Sequence, residues 1–234
     1  MTTLAQGPNG SKYVFAPGTY GLRDRPVTPP LRMIIDFCTS NLPEGSQYID
    51  VGAADGHLVS KAGSLRPFRI LCVDPSRTAV EACREAIKLY GTAMDGAIQG
   101  VLTGMQLGPA DAIGMWRVPH SLRDKVRHAN FAAAHRTVVK GGHFFVAAKS
   151  NNDWEVDALK GLGKYKPGKV NDLGPVLGLD EEFPCRFFSE EELSQSVAEH
   201  GFKILRCGEF EDENGWERLR SRYNKYRYLW AQKI

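Results

Sequence analysis

The sequence contains no long apolar run and carries little net charge. None of its apolar stretches approaches the roughly 18 to 20 residues that a membrane-spanning helix needs. The N-terminus also lacks the basic start and apolar stretch of a signal peptide. A net charge of +3 over 234 residues is too small to indicate nucleic-acid binding by itself. We therefore expect a cytoplasmic protein that does not enter a membrane.

Cysteine is also scarce, with five residues and no spacing typical of a metal site. Cys72 and Cys207 fall in segments with strand character, so we expect reduced core thiols rather than disulfides, and no bound metal. Hydrophobic residues at 42% and charged residues at 24% are ordinary for a globular domain. A chain of this length can bury a substantial core, which favours one large domain.

Strand and helix patterns alternate along most of the chain, which indicates a doubly wound, mostly parallel α/β sheet. Helices are predicted after Pro29-Pro30, from His57 to about Ser64, and over about 76–90, 121–137 and 189–201. Capping boxes are expected at Thr78-x-x-Glu81 and Ser189-x-x-Glu192. Strands are predicted at Tyr48–Val51, Arg69–Val73, Ala97–Leu102, Ala110–Trp116, His143–Ala148, Lys203–Cys207 and Tyr226–Gln232.

Two segments lack such patterns. Residues 1–30 are rich in Gly, Pro, Thr and Asn with interspersed aromatic and basic residues. We predict an irregular arm there, either a disordered tail or a lid that orders over a ligand. The forty or so residues after Ala148 are rich in Gly, Lys and Pro, and a long connection is expected. Residues 31–234 are predicted to form a single domain.

The most informative segment is Tyr48–Gly56, an apolar strand that ends in an acid and runs through a Gly-x-x-x-Gly turn into a helix. In an open α/β sheet a ligand binds at such a turn, close to a helix N-terminus. About 22 residues after Gly52 the next strand ends in a second acid, Asp74. A carboxylate at that place can accept from both hydroxyls of a ribose. The two acids and the turn together predict a nucleoside-binding pocket.

On these residues the chain resembles the class I S-adenosylmethionine-dependent methyltransferases, over about residues 31–234. The likeness is carried by Ile49–Gly56, by Asp74, and by the run Val138–Gly142 into the fifth strand. Phe188–Leu193 and Gly201–Ile204 are similar to that family's last helix and the strand after it. The resemblance implies S-adenosylmethionine as cofactor. It also implies a Rossmann-like seven-stranded sheet with helices on both faces and an antiparallel last strand.

The resemblance further implies which residues bind the cofactor. Gly52 would let the backbone approach the methionine part, with Asp50 near its ammonium, and Asp74 would take the ribose. The expected cofactor-binding set is Asp50, Gly52, Ala53, Asp55, Gly56, Asp74, Pro75, Leu102 and Trp116. Asp55 would act through its backbone or simply favour the turn. Family members often carry an acid for the adenine amino group after strand three. This chain has none, so we expect either Gln99 or the Leu102 backbone amide there.

Residues for the acceptor are expected after the fourth strand. His120 can take a proton from a hydroxyl or amine, because an imidazole ordinarily has a pKa near 6.5; alternatively it is a loop histidine before a helix. Arg117 can hold an anionic acceptor or pair with a nearby acid, and Trp116 can stack on a ligand or belong to the core. His120 and Arg117 are the predicted catalytic residues. Lys149 is a further candidate contact.

The function expected from this set is transfer of a methyl group to a small-molecule acceptor by in-line displacement, in which positioning supplies much of the rate. One alternative is an RNA methyltransferase that uses Lys149 and the basic stretch 218–227, which is otherwise explained as a solvated edge hairpin. Another is a cofactor-binding protein without catalysis. A nicotinamide oxidoreductase is disfavoured because Ala54 stands where its motif requires glycine. The acceptor atom and the oligomeric state are not specified by these residues.

Overall fold

The computed structural model describes residues 4–6, 12–14, 27–177, 184–213 and 223–234. The helices are α1 Pro29–Asn41, α2 His57–Ala62, α3 Arg77–Tyr90, α4 Asp124–Thr137, α5 Trp154–Gly161, α6 Gly174–Leu177 and α7 Glu190–Ala198. The strands are β1 Leu4–Gln6, β2 Lys12–Val14, β3 Gln47–Val51, β4 Arg69–Asp74, β5 Gly96–Gln99, β6 Ala110–Trp116, β7 Val138–Lys149, β8 Val170–Asp172, β9 Pro184–Arg186, β10 Phe202–Glu213 and β11 Tyr223–Lys233. None of these described helices has the length and apolar character to cross a bilayer.

Seven of the described strands form one sheet in the order β10-β11-β7-β6-β3-β4-β5. Strand β3 pairs in parallel with β4 and β6, and β4 pairs in parallel with β5. The last strand, β11, runs antiparallel to both β7 and β10. The predicted mostly parallel, seven-stranded sheet with an antiparallel last strand is therefore confirmed.

The chain divides into two compact units. The first contains Met1–Gly114 and Thr137–Gly142, and the second contains Met115–Arg136 and His143–Ile234. In the first unit the interior is formed by fully buried side chains of β3, β4 and α3, among them Ile49, Ile70 and Cys83. Burying such side chains stabilises the fold by roughly 1.5–3 kcal/mol each. The single domain over residues 31–234 stays a prediction.

The second unit has an aromatic interior. The fully buried rings of Phe131 on α4 and Phe144 on β7 lie 5.7 Å apart, and Phe144 lies 4.9 Å from Phe202 on β10. Aromatic pairs at such separations add about 0.5–1.5 kcal/mol beyond the area that they bury. This cluster joins α4 to the strands of the same unit.

Several boundaries of the predicted elements are wrong; the strand predicted at Lys203–Cys207, for example, extends to Glu213 as β10. Helix α3 is capped by Ser76, whose side chain accepts a hydrogen bond from Ala79 N, and not by the expected Thr78 capping box. The run Lys140–Gly142, which has the composition of a turn, lies inside the long strand β7, where Gly141 has a φ of 79°. In contrast, Ser189 and Glu192 form the predicted capping box of α7.

The two segments without a sequence pattern both contain regular structure. Strands β1 and β2 pair antiparallel within the predicted irregular arm, whose other residues up to 26 lie outside the described part. The expected long connection after Ala148 contains α5, α6 and the antiparallel pair β8–β9. Its first helix begins where the Asp153 carboxylate accepts from Glu155 N. This single cap is a weak signal among many Gly, Lys and Pro residues, which explains the error.

Candidate functional site

The turn between β3 and α2 has an unusual backbone. Gly52, Ala54 and Gly56 have φ values of 73°, 51° and 77°, in the left-handed region. Gly52 N donates to Val73 O at 2.7 Å, which ties the start of the turn to β4. Glycine adopts this conformation without strain, whereas Ala54 pays of order 1–2 kcal/mol for it. Such strain is typical of a binding site, where the surrounding structure maintains it.

Glycine is required at position 56 both for its left-handed backbone conformation and for close packing. A Cβ atom built at Gly56 would lie 2.7 Å from the Cβ of Ala86 and 3.3 Å from the Cα of Cys83, both on α3. The Cys83 thiol also donates to Ala54 O at 3.3 Å. The second glycine of the motif therefore lets α2 begin directly against α3, and this contact supports the turn from behind.

Asp74 ends β4 and binds the same turn. Its carboxylate accepts from Ala54 N at 3.2 Å and from Ser76 N at 2.9 Å. Burial raises the pKa of Asp74 to about 6, although the two backbone donors act in the opposite direction. A carboxylate offers about four lone-pair sites, so two remain for further donors. Asp74 can thus hold the turn and accept from a diol.

Asp50, on β3, carries a second buried carboxylate, close enough to Asp74 for the two charges to interact. It is 6% exposed, and burial together with the charge of Asp74 raises its pKa to about 7. Among the described residues no ion pair reaches either Asp50 or Asp74. Two close carboxylates without a cation are costly, and a bound cation would relieve that cost.

The other predicted cofactor residues of the first unit lie on or beside this turn. Ala53 is buried, Asp55 is half-buried within the turn, and Pro75 follows Asp74 directly. The Gln99 side-chain amide donates to Pro75 O at 3.1 Å, which leaves its oxygen available to an amino group. Leu102 is 2% exposed at the start of a short 3-10 turn. Both alternatives for the adenine position therefore stay open.

A separate cluster in the second unit collects the residues predicted for the acceptor. The side chains of Arg117, His120 and Lys149 surround the ring of Tyr226, which is 6% exposed. The sequence pattern does not identify Tyr226, because the basic stretch around it is also typical of a solvated hairpin. Its alternation with charged residues gave no sign of which strand face is buried.

His120 lies in a short 3-10 turn that follows β6. It is 8% exposed, and its Nδ1 atom has no hydrogen-bond partner among the described residues. Burial lowers the pKa of His120 well below its usual value, and the charges of Lys149 and Arg117 lower it further. The imidazole is therefore neutral near pH 7. His120 does precede a helix, α4, as one of the two interpretations has it, but its side chain is buried. Its catalytic role stays a prediction.

Arg117 and Trp116 both have partners within the second unit. The Arg117 guanidinium forms an ion pair with Asp212, and the residue has a left-handed backbone with a φ of 62°. Pairing with a nearby acid, one of the two interpretations of Arg117, is therefore confirmed. Trp116 stacks on Phe210 with ring centres 5.4 Å apart, as expected for a wall or core residue. Its assignment to the cofactor stays a prediction.

Lys149 is not a free cation. Its Nζ atom lies 2.8 Å from Glu155 Oε2 and 3.4 Å from Asp153 Oδ2, and it donates to Asn224 Oδ1 at 2.7 Å. Burial disfavours the ammonium, but the electrostatic influences of Tyr226, Glu155 and Asp153 outweigh it and raise the pKa of Lys149. The side chain thus stays charged and satisfied, and a phosphate would have to displace these partners.

The described part of the basic C-terminal stretch is also paired. Lys225 lies 3.6 Å from Glu211, and Arg227 lies 3.3 Å from Glu209 and 3.9 Å from Glu190. Arg218, Arg220 and Arg222 lie outside the described residues. The cations that can be placed therefore do not form an open basic surface.

A comparison with protein families gives one match. The model of a family described as a methyltransferase domain matches residues 24–206, which is more than half of the chain. A comparison with curated proteins gives no match.

Solved methyltransferase structures share the fold at low sequence identity. A SAM-dependent methyltransferase from Methanosarcina mazei is 18% identical, with 83% of this chain and 95% of that chain covered and a TM-score of 0.64. Magnesium protoporphyrin IX methyltransferase from Synechocystis with bound SAH is 15% identical, with coverage of 88% and 82% and a TM-score of 0.63. The N-methyltransferase NodS from Bradyrhizobium japonicum, in complex with S-adenosyl-L-homocysteine, is 11% identical, with coverage of 92% and 91% and a TM-score of 0.61. At these identities the likeness concerns the fold alone.

Proposed function

The chain belongs to the family of methyltransferase domains and uses S-adenosylmethionine as its methyl donor, and we propose that it methylates a small-molecule acceptor. The observation that carries the cofactor assignment is the pair of buried carboxylates, Asp50 and Asp74, beside the left-handed turn at Gly52, with which no described cation forms an ion pair. S-adenosylmethionine carries an ammonium and a sulfonium, and its ribose carries two vicinal hydroxyls. These are the groups that two buried acids accommodate.

Three residues at or beside the turn have a defined part in this proposal. Asp50 receives the ammonium, Asp74 accepts from the ribose, and Gly52 admits the methionine part close to the backbone. The bound cofactor supplies an electrophilic methyl group on its sulfonium. Because methyl transfer is an in-line displacement, the protein has mainly to position the acceptor and exclude water.

His120 and Arg117 are proposed to hold the acceptor. A buried neutral imidazole can hydrogen-bond a hydroxyl, an amine or an oxyanion, and the guanidinium adds fixed positive charge. Trp116 is proposed as a wall of the binding region. The arm formed by residues 1–30 is proposed as a lid.

A small molecule is favoured over RNA as acceptor. RNA binding needs several cations that can release counterions along a phosphate backbone. Lys149, Lys225 and Arg227 are instead engaged with carboxylates. Magnesium protoporphyrin IX, the compound named for the structural relative in Synechocystis, is a small molecule. We also propose a cytoplasmic location, because all five cysteines are free thiols.

Titration with S-adenosylhomocysteine tests the cofactor site. Asp74→Asn is expected to weaken binding by about 10- to 100-fold, since hydrogen bonds to a charged group contribute roughly 1.5–3 kcal/mol. Asp111→Asn is the matched control, because Asp111 also accepts from a backbone amide, Gln47 N at 2.8 Å, at the amino end of β3. Calorimetry on both variants measures the affinities. An Asp74→Asn protein that is folded and binds as tightly as the parent would remove the ribose role.

A further inference from the structure

Three side chains surround the ring of Tyr226, and with that ring they form what we call the Tyr226 cluster. The guanidinium carbon of Arg117 lies 5.8 Å from the ring centre and Nζ of Lys149 lies 5.4 Å from it. The imidazole of His120 meets the ring edge-on, with the two ring centres 5.9 Å apart. Two cations and a buried imidazole therefore share one aromatic ring.

His120 needs a partner that the described residues do not supply. Its side chain is more than nine-tenths buried, yet Nδ1 has no hydrogen bond to a described residue. An unsatisfied buried polar atom destabilises the folded chain, and a ligand that bonds to it removes that cost. His120 thus indicates a polar ligand group at this place.

Arg117 has donors left for the same ligand. A guanidinium carries five N–H groups, and within the described part of the chain Asp212 is the acceptor that the Arg117 side chain binds. The side chain is 16% exposed, so its remaining donors are not sealed in the core. Its planar fork matches the geometry of a carboxylate or another oxyanion.

The charges nearest to His120 are positive. After burial, the influences that lower the pKa of His120 come from Lys149 and Arg117, and no carboxylate contributes. The acids of the neighbourhood are paired with these cations, Asp212 with Arg117, and Asp153 and Glu155 with Lys149. The ammonium of Lys149 is fully engaged and therefore acts through its charge. At His120 the local field consequently favours an anion.

We infer that the acceptor is an oxygen acid, a carboxylic acid or an acidic phenol, that binds as its oxyanion to Arg117 and His120. The inference rests on the proposed function and specifies its substrate class. The acid loses its proton to solvent before it binds. An electron pair of the oxyanion forms the new O–CH₃ bond, the S–CH₃ bond breaks, and its electron pair remains on sulfur. The products are a methyl ester or ether and a neutral thioether.

An aliphatic amine fits this cluster poorly. Such an amine arrives as an ammonium near pH 7, because its pKa is about 10. It would meet two cations, and the imidazole that has to remove its proton is a weakened base. An oxyanion needs no base at all. The charge of the cluster therefore favours binding of an oxyanion over binding of an ammonium, before methyl transfer takes place.

The smallest members of each class test the inference. Wild-type protein is saturated with S-adenosylhomocysteine and titrated with sodium acetate or with methylammonium chloride at constant ionic strength. The imidazole resonances of His120 are followed by NMR. We expect saturable shifts with acetate, and an at least tenfold weaker response to methylammonium. An equal or stronger response to methylammonium, or no response to acetate, would overturn the inference.

Two arginine variants provide the matched comparison. Arg117→Asn is expected to lower the affinity for acetate at least tenfold. Asparagine is chosen because it tolerates the left-handed backbone at this position. Arg186→Asn, which removes an arginine paired with Asp124 at 3.0 Å elsewhere in the second unit, should leave acetate binding unchanged. The double variant Arg117→Asn/Asp212→Asn removes both charges if the single variant does not fold. Unchanged acetate affinity in a folded variant contradicts the inference. Failure to bind S-adenosylhomocysteine contradicts instead the proposed function.

Discussion

At the scale of single residues, Asp50 and Asp74 work against the stability of the cofactor-free protein. Burial and mutual repulsion raise the pKa of Asp50 to about 7 and burial raises that of Asp74 to about 6. The folded chain therefore keeps protons that the unfolded chain releases near pH 4. By linkage, the contribution of these two groups to stability falls as the pH rises from about 4 to about 7. In the proposed complex, the cationic cofactor offsets this cost.

This linkage predicts that cofactor affinity depends on pH. Asp50 has to lose its proton to pair with the ammonium, so the affinity for S-adenosylhomocysteine should rise with pH until about pH 7. The slope approaches tenfold per pH unit if one proton is released. Asp50→Asn should bind weakly at every pH and show a flatter profile. Calorimetry in buffers of different ionisation enthalpy counts the protons. An unaltered slope in this variant would assign the titration to another group.

His120 and Tyr226 show what can be predicted residue by residue. His120 follows a strand that ends near the expected ligand edge, and its position in the chain alone made it a candidate. Tyr226 alternates with charged neighbours on β11, and that pattern is the same whichever face is buried. Only its contacts with Arg117 and Lys149 reveal its place.

At the scale of elements, the turn between β3 and α2 combines two requirements in one motif. The strand needs to reverse sharply beside β4, and α2 needs to start against α3. Gly52 meets the first through its positive φ, and Gly56 meets both through its φ and its missing side chain. Sequence spacing identifies the motif, whereas the contact with Ala86 gives the physical reason.

Substitution of Gly56 measures how much its close packing against α3 contributes to stability. Gly56→Ala is expected to cost about 2–4 kcal/mol, because left-handed strain of about 1–2 kcal/mol adds to overpacking against Ala86. Gly45→Ala is the matched control, since Gly45 has a φ of 80° but nothing within 4 Å of a built Cβ. That variant should lose about 1–2 kcal/mol only. Urea unfolding measures both. Equal losses would mean that the α3 contact adds nothing.

The start of α3 shows why caps are hard to place from sequence. Ser76 and Thr78 are both residues that cap helices, and Thr78 is followed by Glu81 at the interval of a capping box. The choice is made by the preceding strand, because Asp74 bonds Ser76 N and thereby sets where the chain turns into the helix. The local sequence contains both possibilities, and the strand end selects one.

At the scale of the whole molecule, acid stability depends on several histidines held in the neutral form. Nδ1 of His128 on α4 lies 3.1 Å from Nε2 of His200, which follows α7. Burial lowers the pKa of His200, His128 and His135 lower it further, and Glu199 opposes them. A hydrogen bond between two imidazoles requires one of them to be neutral. The contact therefore weakens on acidification.

The sign of this effect gives a testable profile. Because the folded state holds the pKa of His200 below the unfolded value of about 6.5, its stabilisation is present above pH 6.5 and is lost as the pH falls. His200→Gln should reduce the loss of unfolding free energy between pH 7 and 5.5 by about 0.5 kcal/mol, discounted for solvent screening. Lys203→Gln, an exposed change on β10, is the control. Chemical denaturation across this range measures it, and identical profiles would contradict the assignment.

Much of the architecture follows from local signals. Periodicity, turn residues and glycine spacing predict a strand at each of the seven places of the sheet, with the bounds of β3, β4 and β6 correct to within a residue. The resemblance implies their arrangement with β11 antiparallel. The bounds of the short strand β5 and of the extended β7, and the elements between Ser150 and Phe188, are not predicted by the local sequence. Their patterns are short or interrupted by glycine, so that long-range pairing rather than local preference decides them.

By itself the sequence determined the alternating fold, the glycine turn and the two acids of the proposed cofactor site, because each follows from a local pattern at the end of a strand. Only the tertiary structure decided that Arg117 pairs with Asp212, which is 95 positions away, and that Lys149 is satisfied by Glu155 and Asn224. These side chains have several possible partners in the sequence. Burial chooses among them, since a buried charge or imidazole must find whichever partner the fold brings within reach.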